Sequence, residues 1–193
     1  MLVVVEGSNG IGKSIISKKV SKRMGAKYVS FPGHKDGTIG NIVHDIHEDP
    51  GKIGVDGISN AGMQVLHTAA HIDTIDNQIK PHININGSVI LDRFWWSTVI
   101  YGRQYGVNEE SLQAMIALEK IHWGGIQPDV VFLVDRPHPF VEETDEWSEL
   151  RSRYLRFATE KEHPYPVEIM KNTSTVEDAV NSVIETIKHI IYA

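Results

Sequence analysis

The sequence predicts an α/β fold in three layers, a five-stranded parallel sheet flanked by helices on both faces. Two observations carry this. Five short apolar runs, at 3–5, 27–31, 88–91, 130–134 and 167–170, are each separated from the next by at least one segment of helical spacing. Parallel strands need such crossovers, whereas hairpin turns would mark an antiparallel sheet. A glycine-rich stretch also joins the first run directly to the first helical segment. In sheets of this kind ligands bind beyond the carboxyl ends of the strands.

The elements follow in order. Val3-Val4-Val5 reads as a buried strand, and Lys13 to Met24 as a helix with Ile16 and Val20 on one face. Lys27 to Phe31 is the second strand, stopped at Pro32-Gly33. Helices are predicted from Thr38 to His47 and from Ser59 to Lys80, the latter ending at Pro81. Ser88 to Leu91 is the third strand, entered through Asn86-Gly87. Helices follow over Trp95 to Tyr105 and Glu109 to His122. The fourth strand, Val130 to Val134, comes after Pro128, then a helix over Glu146 to Glu160 and a fifth strand over Val167 to Met170. A capping box, Ser174-Thr175-Val176-Glu177, opens the last helix.

Composition narrows the function. The 193 residues suit one domain with a single sizeable core, and no repeat or linker divides them. There is no cysteine, which excludes disulfides, thiolate nucleophiles and cysteine zinc sites. A net charge of −6 argues against a general nucleic-acid binder. No apolar run approaches the roughly 20 residues needed to span a bilayer. The first residues lack a basic stretch and a cleavage site, so a cytoplasmic protein without membrane or nucleic-acid partners is expected.

Gly7-Ser8-Asn9-Gly10-Ile11-Gly12-Lys13-Ser14 matches the phosphate-loop pattern G-x-x-x-x-G-K-[ST] in full. A strand precedes it and a helix follows, as the chemistry requires. Glycines let the backbone N–H groups turn inward around a β-phosphate, and the helix N-terminus adds its positive dipole end. Lys13 supplies a cation to the β- and γ-phosphates, and the Ser14 hydroxyl is a ligand for Mg²⁺. All eight residues are therefore candidates for binding ATP, within the three-layer sandwich of P-loop NTPases.

Asp92-Arg93 ends the third strand. A carboxylate there is placed to hold a metal-bound water or to orient an attacking phosphate, and an arginine offers a planar donor fork to a phosphoryl group in flight. By itself the pair also fits a strand-terminal surface ion pair; the phosphate loop gives it meaning.

With these landmarks the chain resembles the thymidylate kinases. The likeness rests on Glu6-Gly7-Ser8-Asn9-Gly10-Ile11-Gly12-Lys13-Ser14, Phe31-Pro32, Asp92-Arg93-Phe94-Trp95-Trp96-Ser97 and Pro128-Asp129-Val130-Val131-Phe132-Leu133, in order and at similar spacing. The resemblance implies transfer of the γ-phosphate of ATP, with Mg²⁺, onto a deoxynucleoside 5′-monophosphate such as dTMP or dUMP. It implies that Lys13, Asp92 and Arg93 are catalytic, that Ser14 and Asp92 hold the metal, and that Phe31 and Tyr101 line the acceptor site. Dimers form through helices in this family, so a homodimer is implied as well.

Departures from the family pattern are specific. Asn9 stands where a carboxylate usually meets the sugar 3′-hydroxyl. His34, His67 and His71 stand where the family places an arginine on the acceptor phosphate, an aromatic ring on the base and an arginine on the base edge. Relatives with glycine at Gly10 tend to supply a catalytic arginine from a lid. Here the lid, around 136–153, is short and acidic, and Arg151 and Arg153 are the candidates, with Arg153 preferred over Arg156 and Arg136. Asn172-Thr173-Ser174 falls where the family's adenine loop lies and reads equally as a helix cap. Two other functions remain open to the sequence. One is a deoxynucleoside kinase, with Glu6 as general base toward a 5′-hydroxyl. The other is a non-catalytic nucleotide-binding protein.

Overall fold

In the computed structural model, residues 1–33, 35–160 and 162–192 are described. The strands are β1 (Leu2–Glu6), β2 (Lys27–Ser30), β3 (Val89–Asp92), β4 (Val130–Asp135) and β5 (Val167–Lys171). They form one parallel sheet in the order β2-β3-β1-β4-β5. The five-stranded α/β sandwich expected from the alternation is the one observed.

Burial on both faces explains why β1 and β3 read as unbroken apolar runs rather than alternating ones. Successive side chains point to opposite faces. Leu2, Val4 and Leu91 enter a core with Trp96, Ile100, Leu150 and Tyr154. Val3, Val5 and Ile90 enter the other, with Ile16, Val20, Val180 and Ile187. Ile16 and Val20 are thus the buried stripe of α1 (Lys13–Met24), which Gly25 ends in the left-handed conformation at φ 63°.

The remaining helices are α2 (Ile39–Glu48), α3 (Asn60–Thr74), α4 (Lys80–Asn84), α5 (Trp95–Gln104), α6 (Glu109–Trp123), α7 (Asp145–Glu160) and α8 (Val176–Tyr192), with a short 3₁₀ turn at Pro50–Ile53. Two local expectations need correction. The helix expected to stop at Pro81 does not stop there. It widens into a π turn over Ile75–Ile79 and continues through Pro81 to Asn84. The wider turn moves the carbonyl that the pyrrolidine ring would strike, and Lys27 Nζ donates to the Gln78 carbonyl at 2.9 Å. The capping box of α8 is Thr175–Asp178, not Ser174–Glu177: Thr175 Oγ1 accepts from Asp178 N, and the Asp178 carboxylate accepts from Thr175. Glu177 instead reaches Lys19 and Arg23 on α1. No helix among the described residues is long and apolar enough to cross a membrane.

Register decides where the chemistry gathers. Val5 pairs with Asp92 and Glu6 with Leu133. The loop after β1 and the turn after β3 therefore leave the sheet side by side, at its carboxyl edge.

Candidate active site

The loop Gly7–Gly12 turns through three left-handed glycines, with φ 138° at Gly7, 69° at Gly10 and 89° at Gly12. A side chain at Gly7 would strike the Val134 carbonyl at 2.6 Å, so only glycine allows β1 and β4 to lie this close there. Ile11 and Ser8 are buried beneath the loop. Lys13 Nζ donates to the Ser8 carbonyl. Burial, and secondarily Arg93, pull the Lys13 ammonium down to about 7, against Asp92 and Glu6.

Arg93 is a non-glycine residue at φ 75°. Its own N–H donates to the Val5 carbonyl at 2.9 Å, and the next, Phe94 N–H, donates to Glu6 Oε1 at 2.7 Å. These two bonds lock the unusual backbone and turn the guanidinium toward the phosphate loop. There it donates to Asn9 Oδ1 and, at 3.1 Å, to Ser97 Oγ, with the Tyr101 ring 5.4 Å away. A left-handed conformation held by surrounding bonds is the kind of strain found at functional sites.

Glu6 is fully buried and accepts from Gly7 N, Phe94 N, Ser97 N and Ser97 Oγ. Its carboxylate caps α5, whose N-terminus has no side-chain cap of its own. Burial pushes the Glu6 carboxyl up, against Arg93, the Phe94 amide and Lys13. Every lone pair with a use is taken, so the residue organises the site and does not face a substrate hydroxyl.

Beside these groups opens a cavity of about 530 Å³. Asn9, Ser14 and Arg93 line its phosphate end; Phe31, His67, His71 and Tyr101 line it further in. Seven of the residues singled out in the sequence thus share one cavity. Phe31 stacks on His71, with centroids 4.0 Å apart and planes at 12°. His67 meets His47 edge-on at 6.0 Å. Burial, helped by His71, His47 and Arg93, pulls the His67 imidazole down to about 3, so it serves as a neutral ring. The Tyr101 hydroxyl and Thr98 Oγ1 are buried without hydrogen-bond partners among the described residues, and both residues line the cavity. A ligand that bonds to them removes that cost.

Asp92 is buried behind the lining, where its Oδ2 accepts from the Tyr28 hydroxyl at 3.1 Å. The same phenol interacts with the Ser14 hydroxyl. A carboxylate and a hydroxyl gathered round one phenol at a helix N-terminus form a hard-oxygen donor set, which suits Mg²⁺.

Other candidates lie elsewhere. Arg153 is held on α7 by Glu149, and Arg151 makes a two-pronged pair with Asp135 at 2.6 and 3.0 Å. Arg136 donates to the Asn172 carbonyl and lies 3.9 Å over the Phe140 ring. Asn172 is buried and donates to the Ile11 carbonyl at 2.7 Å, so its side chain braces the phosphate loop. His34 lies outside the described residues. The sequence reading missed Gln64, Thr98, His44 and His47, all in the lining, and Glu119 behind His71. Gln64 carried a signal: with His67 and His71 it forms an i, i+3, i+7 stripe on α3.

A model of the thymidylate kinase family matches residues 5–189. The chain belongs to the thymidylate kinase family. It is a nucleoside monophosphate kinase, and the activity that goes with membership is ATP-dependent phosphorylation of dTMP. It is 28% identical over 207 residues to a "probable thymidylate kinase" of Thermococcus kodakarensis, covering 97% of this chain and 98% of that one. A thymidylate kinase of Legionella pneumophila is 31% identical over 137 residues, 69% of this chain and 63% of its own. In fold, the chain matches the crystal structure of thymidylate kinase from Ehrlichia chaffeensis with a TM-score of 0.77 at 18% identity, covering 97% and 98% of the two chains. Among the functions the sequence left open, the monophosphate kinase is the one favoured, and the bonding of Glu6 gives the physical reason against a hydroxyl acceptor.

Proposed function

We propose that residues 1–193 form one kinase domain whose catalytic groups are Lys13, Asp92 and Arg93, acting on dTMP bound in the cavity between the phosphate loop, α3 and α5. The observation that carries this is the junction of the cavity's two ends: Arg93 bridges Asn9 of the phosphate loop and Ser97 of α5. It therefore stands where the γ-phosphate of ATP and the phosphate of an acceptor in the cavity would meet.

In this reading the loop amides of 7–14 and Lys13 hold the β- and γ-phosphates. Ser14 and Asp92 would hold Mg²⁺, which when bound neutralises charge on those phosphates. Phe31, His67 and His71 frame the base, Tyr101 closes the sugar end, and His34 together with Arg93 receives the acceptor phosphate. The segment around 136–153 serves as lid, with Arg153 free to exchange Glu149 for a phosphate. The acceptor is already an anion, so no general base is needed. Transfer rests on positioning and on cations aimed at the charge that spreads over the moving phosphoryl group. A cytoplasmic setting and a homodimer through its helices complete the reading.

The test is ATP consumption against a panel of nucleosides and nucleoside monophosphates. Turnover with dTMP, with thymidine inert, is the expected result, and phosphorylation of thymidine alone would overturn it. Asp92→Asn is expected to lower kcat far more than it raises the KM for ATP.

A further inference from the structure

Every carbonyl of the phosphate loop from Ser8 to Gly12 is held by a donor. Lys13 Nζ takes that of Ser8, and Ile16 N–H takes that of Gly12 at 3.1 Å as α1 begins. The three between them are held from outside the loop. Trp147 Nε1 donates to the Asn9 carbonyl at 2.8 Å, Phe140 N–H to the Gly10 carbonyl at 2.7 Å, and Asn172 Nδ2 to the Ile11 carbonyl at 2.7 Å. Trp147 stands in the first turn of α7, Phe140 between β4 and α7, and Asn172 directly after β5. Trp147 and Asn172 are both buried, and the Trp147 ring belongs to the core on the α1 and α8 side of the sheet. Thr144 Oγ1 accepts from Trp147 N–H at 3.1 Å, which fixes the turn that carries the indole.

We propose that Trp147 and Asn172 are positioning residues for the phosphoryl donor, which hold the phosphate loop with its amides inward before ATP binds. In a planar trans peptide each N–H points opposite to the carbonyl before it. Drawing the carbonyls of Asn9, Gly10 and Ile11 toward α7 and β5 therefore turns the amides of Gly10, Ile11 and Gly12 the other way. Among the described residues the amides of Gly10 and Gly12 have no acceptor. Phosphate oxygens accept, so a row of amides binds them and a carbonyl turned inward would oppose them. Glycine peptides flip easily, and a loop left free to do so would have to be ordered by ATP at a cost in affinity. Asn9 is fixed on two sides, its carbonyl by Trp147 and its Oδ1 by Arg93. The Trp147 bond thus also steadies the partner of Arg93.

This rests on the reading that the loop receives the β- and γ-phosphates of ATP. The test is calorimetric titration of the full chain with ATP, with inorganic pyrophosphate and with dTMP, all in the presence of Mg²⁺. Trp147→Phe keeps an aromatic ring in the core and removes the N–H, and Asn172→Leu removes the amide donor at similar size. Each is expected to weaken ATP and pyrophosphate by the same factor, about fivefold to tenfold, and to leave dTMP affinity unchanged. Weaker ATP with pyrophosphate unaffected would move the two residues to the adenine end and overturn the proposal. An equal loss for all three ligands would mark a general loss of structure and overturn it too. Nitrogen-15 relaxation of the ligand-free wild type gives an answer even where both variants fail to fold. Order parameters of about 0.85 at the Gly10, Ile11 and Gly12 amides support the proposal, and values below about 0.6 overturn it. A wild type that binds neither ATP nor pyrophosphate would remove the reading of the loop as a phosphate site and the proposal with it. Full binding by both variants would overturn the proposal alone.

Discussion

The carboxylate of Glu6 accepts hydrogen bonds from both the amide and the hydroxyl of Ser97, 91 residues further along the chain. The same carboxylate takes the amides of Gly7 and Phe94. One buried side chain therefore joins the start of the phosphate loop to the turn that carries Arg93, and the two are held as one piece.

Removing that carboxylate tests the join. Glu6→Ala takes the acceptor from the buried amides of Gly7 and Phe94, while Ser97 N keeps the Phe94 carbonyl at 3.0 Å, and should cost about 3–5 kcal/mol of stability. Glu6→Gln keeps one acceptor oxygen and should cost about 1–2 kcal/mol. Urea unfolding measures both. A Gln variant that unfolds like the wild type yet has lost activity by orders of magnitude would make Glu6 a base instead.

Lys13 joins function to a penalty in stability. The unfolded chain keeps this proton to about 10.4, the folded chain only to about 7. Between those values the unfolded state binds more protons, so the Lys13 contribution to stability rises with pH. Lys13→Met should therefore melt above the wild type at pH 6, and the gap should close as pH approaches 10. The same variant should lose phosphoryl transfer by about three orders of magnitude or more. In the wild type, kcat/KM for ATP should fall as pH rises above 7, since that ratio reports the free enzyme.

Arg151 and Arg153 should separate by readout. Arg151 makes a two-pronged bond to a largely buried Asp135 carboxylate, so Arg151→Ala should lower stability by about 1–2 kcal/mol. Arg153 pairs with Glu149 one turn away in a solvated setting, where such a pair contributes little to stability. Arg153→Ala should leave the melting temperature nearly unchanged while lowering kcat at least about tenfold. Full activity of Arg153→Ala, measured by coupled assay, would leave Arg93 and Lys13 as the cations of transfer.

Gly10 is where the segment of Phe140 and Val141 meets the phosphate loop. Phe140 N–H donates to its carbonyl at 2.7 Å, and a Cβ built on it would lie 2.5 Å from a Val141 methyl. Its φ of 69° adds strain for any other residue. Gly10→Ala should cost about 1–2 kcal/mol and raise the KM for ATP several-fold. Adding Val141→Ala should recover part of the KM effect by giving the methyl room, and the double-mutant cycle measures that coupling.

What the sequence by itself determined is local or periodic. The strand–loop–helix at 2–24 is encoded within one window, because glycines, a following helix and a preceding apolar run need no distant partner. The five strands follow from runs buried on both faces, and Ile16 with Val20 follows from helical spacing. Asp92-Arg93 was legible because it ends a strand. What only the tertiary structure decided depends on residues far apart in the chain. The order β2-β3-β1-β4-β5 brings the turn after β3 beside the loop after β1. That contact assigns Glu6 to Ser97 and not to a substrate. Glu119, between Leu118 and Lys120, gave no sign of burial; it is the packing of α6 against α3 that withdraws it from water and sets it on His71, 48 positions earlier. Charged side chains are read as solvated until something covers them, and what covers them is not written in their neighbours.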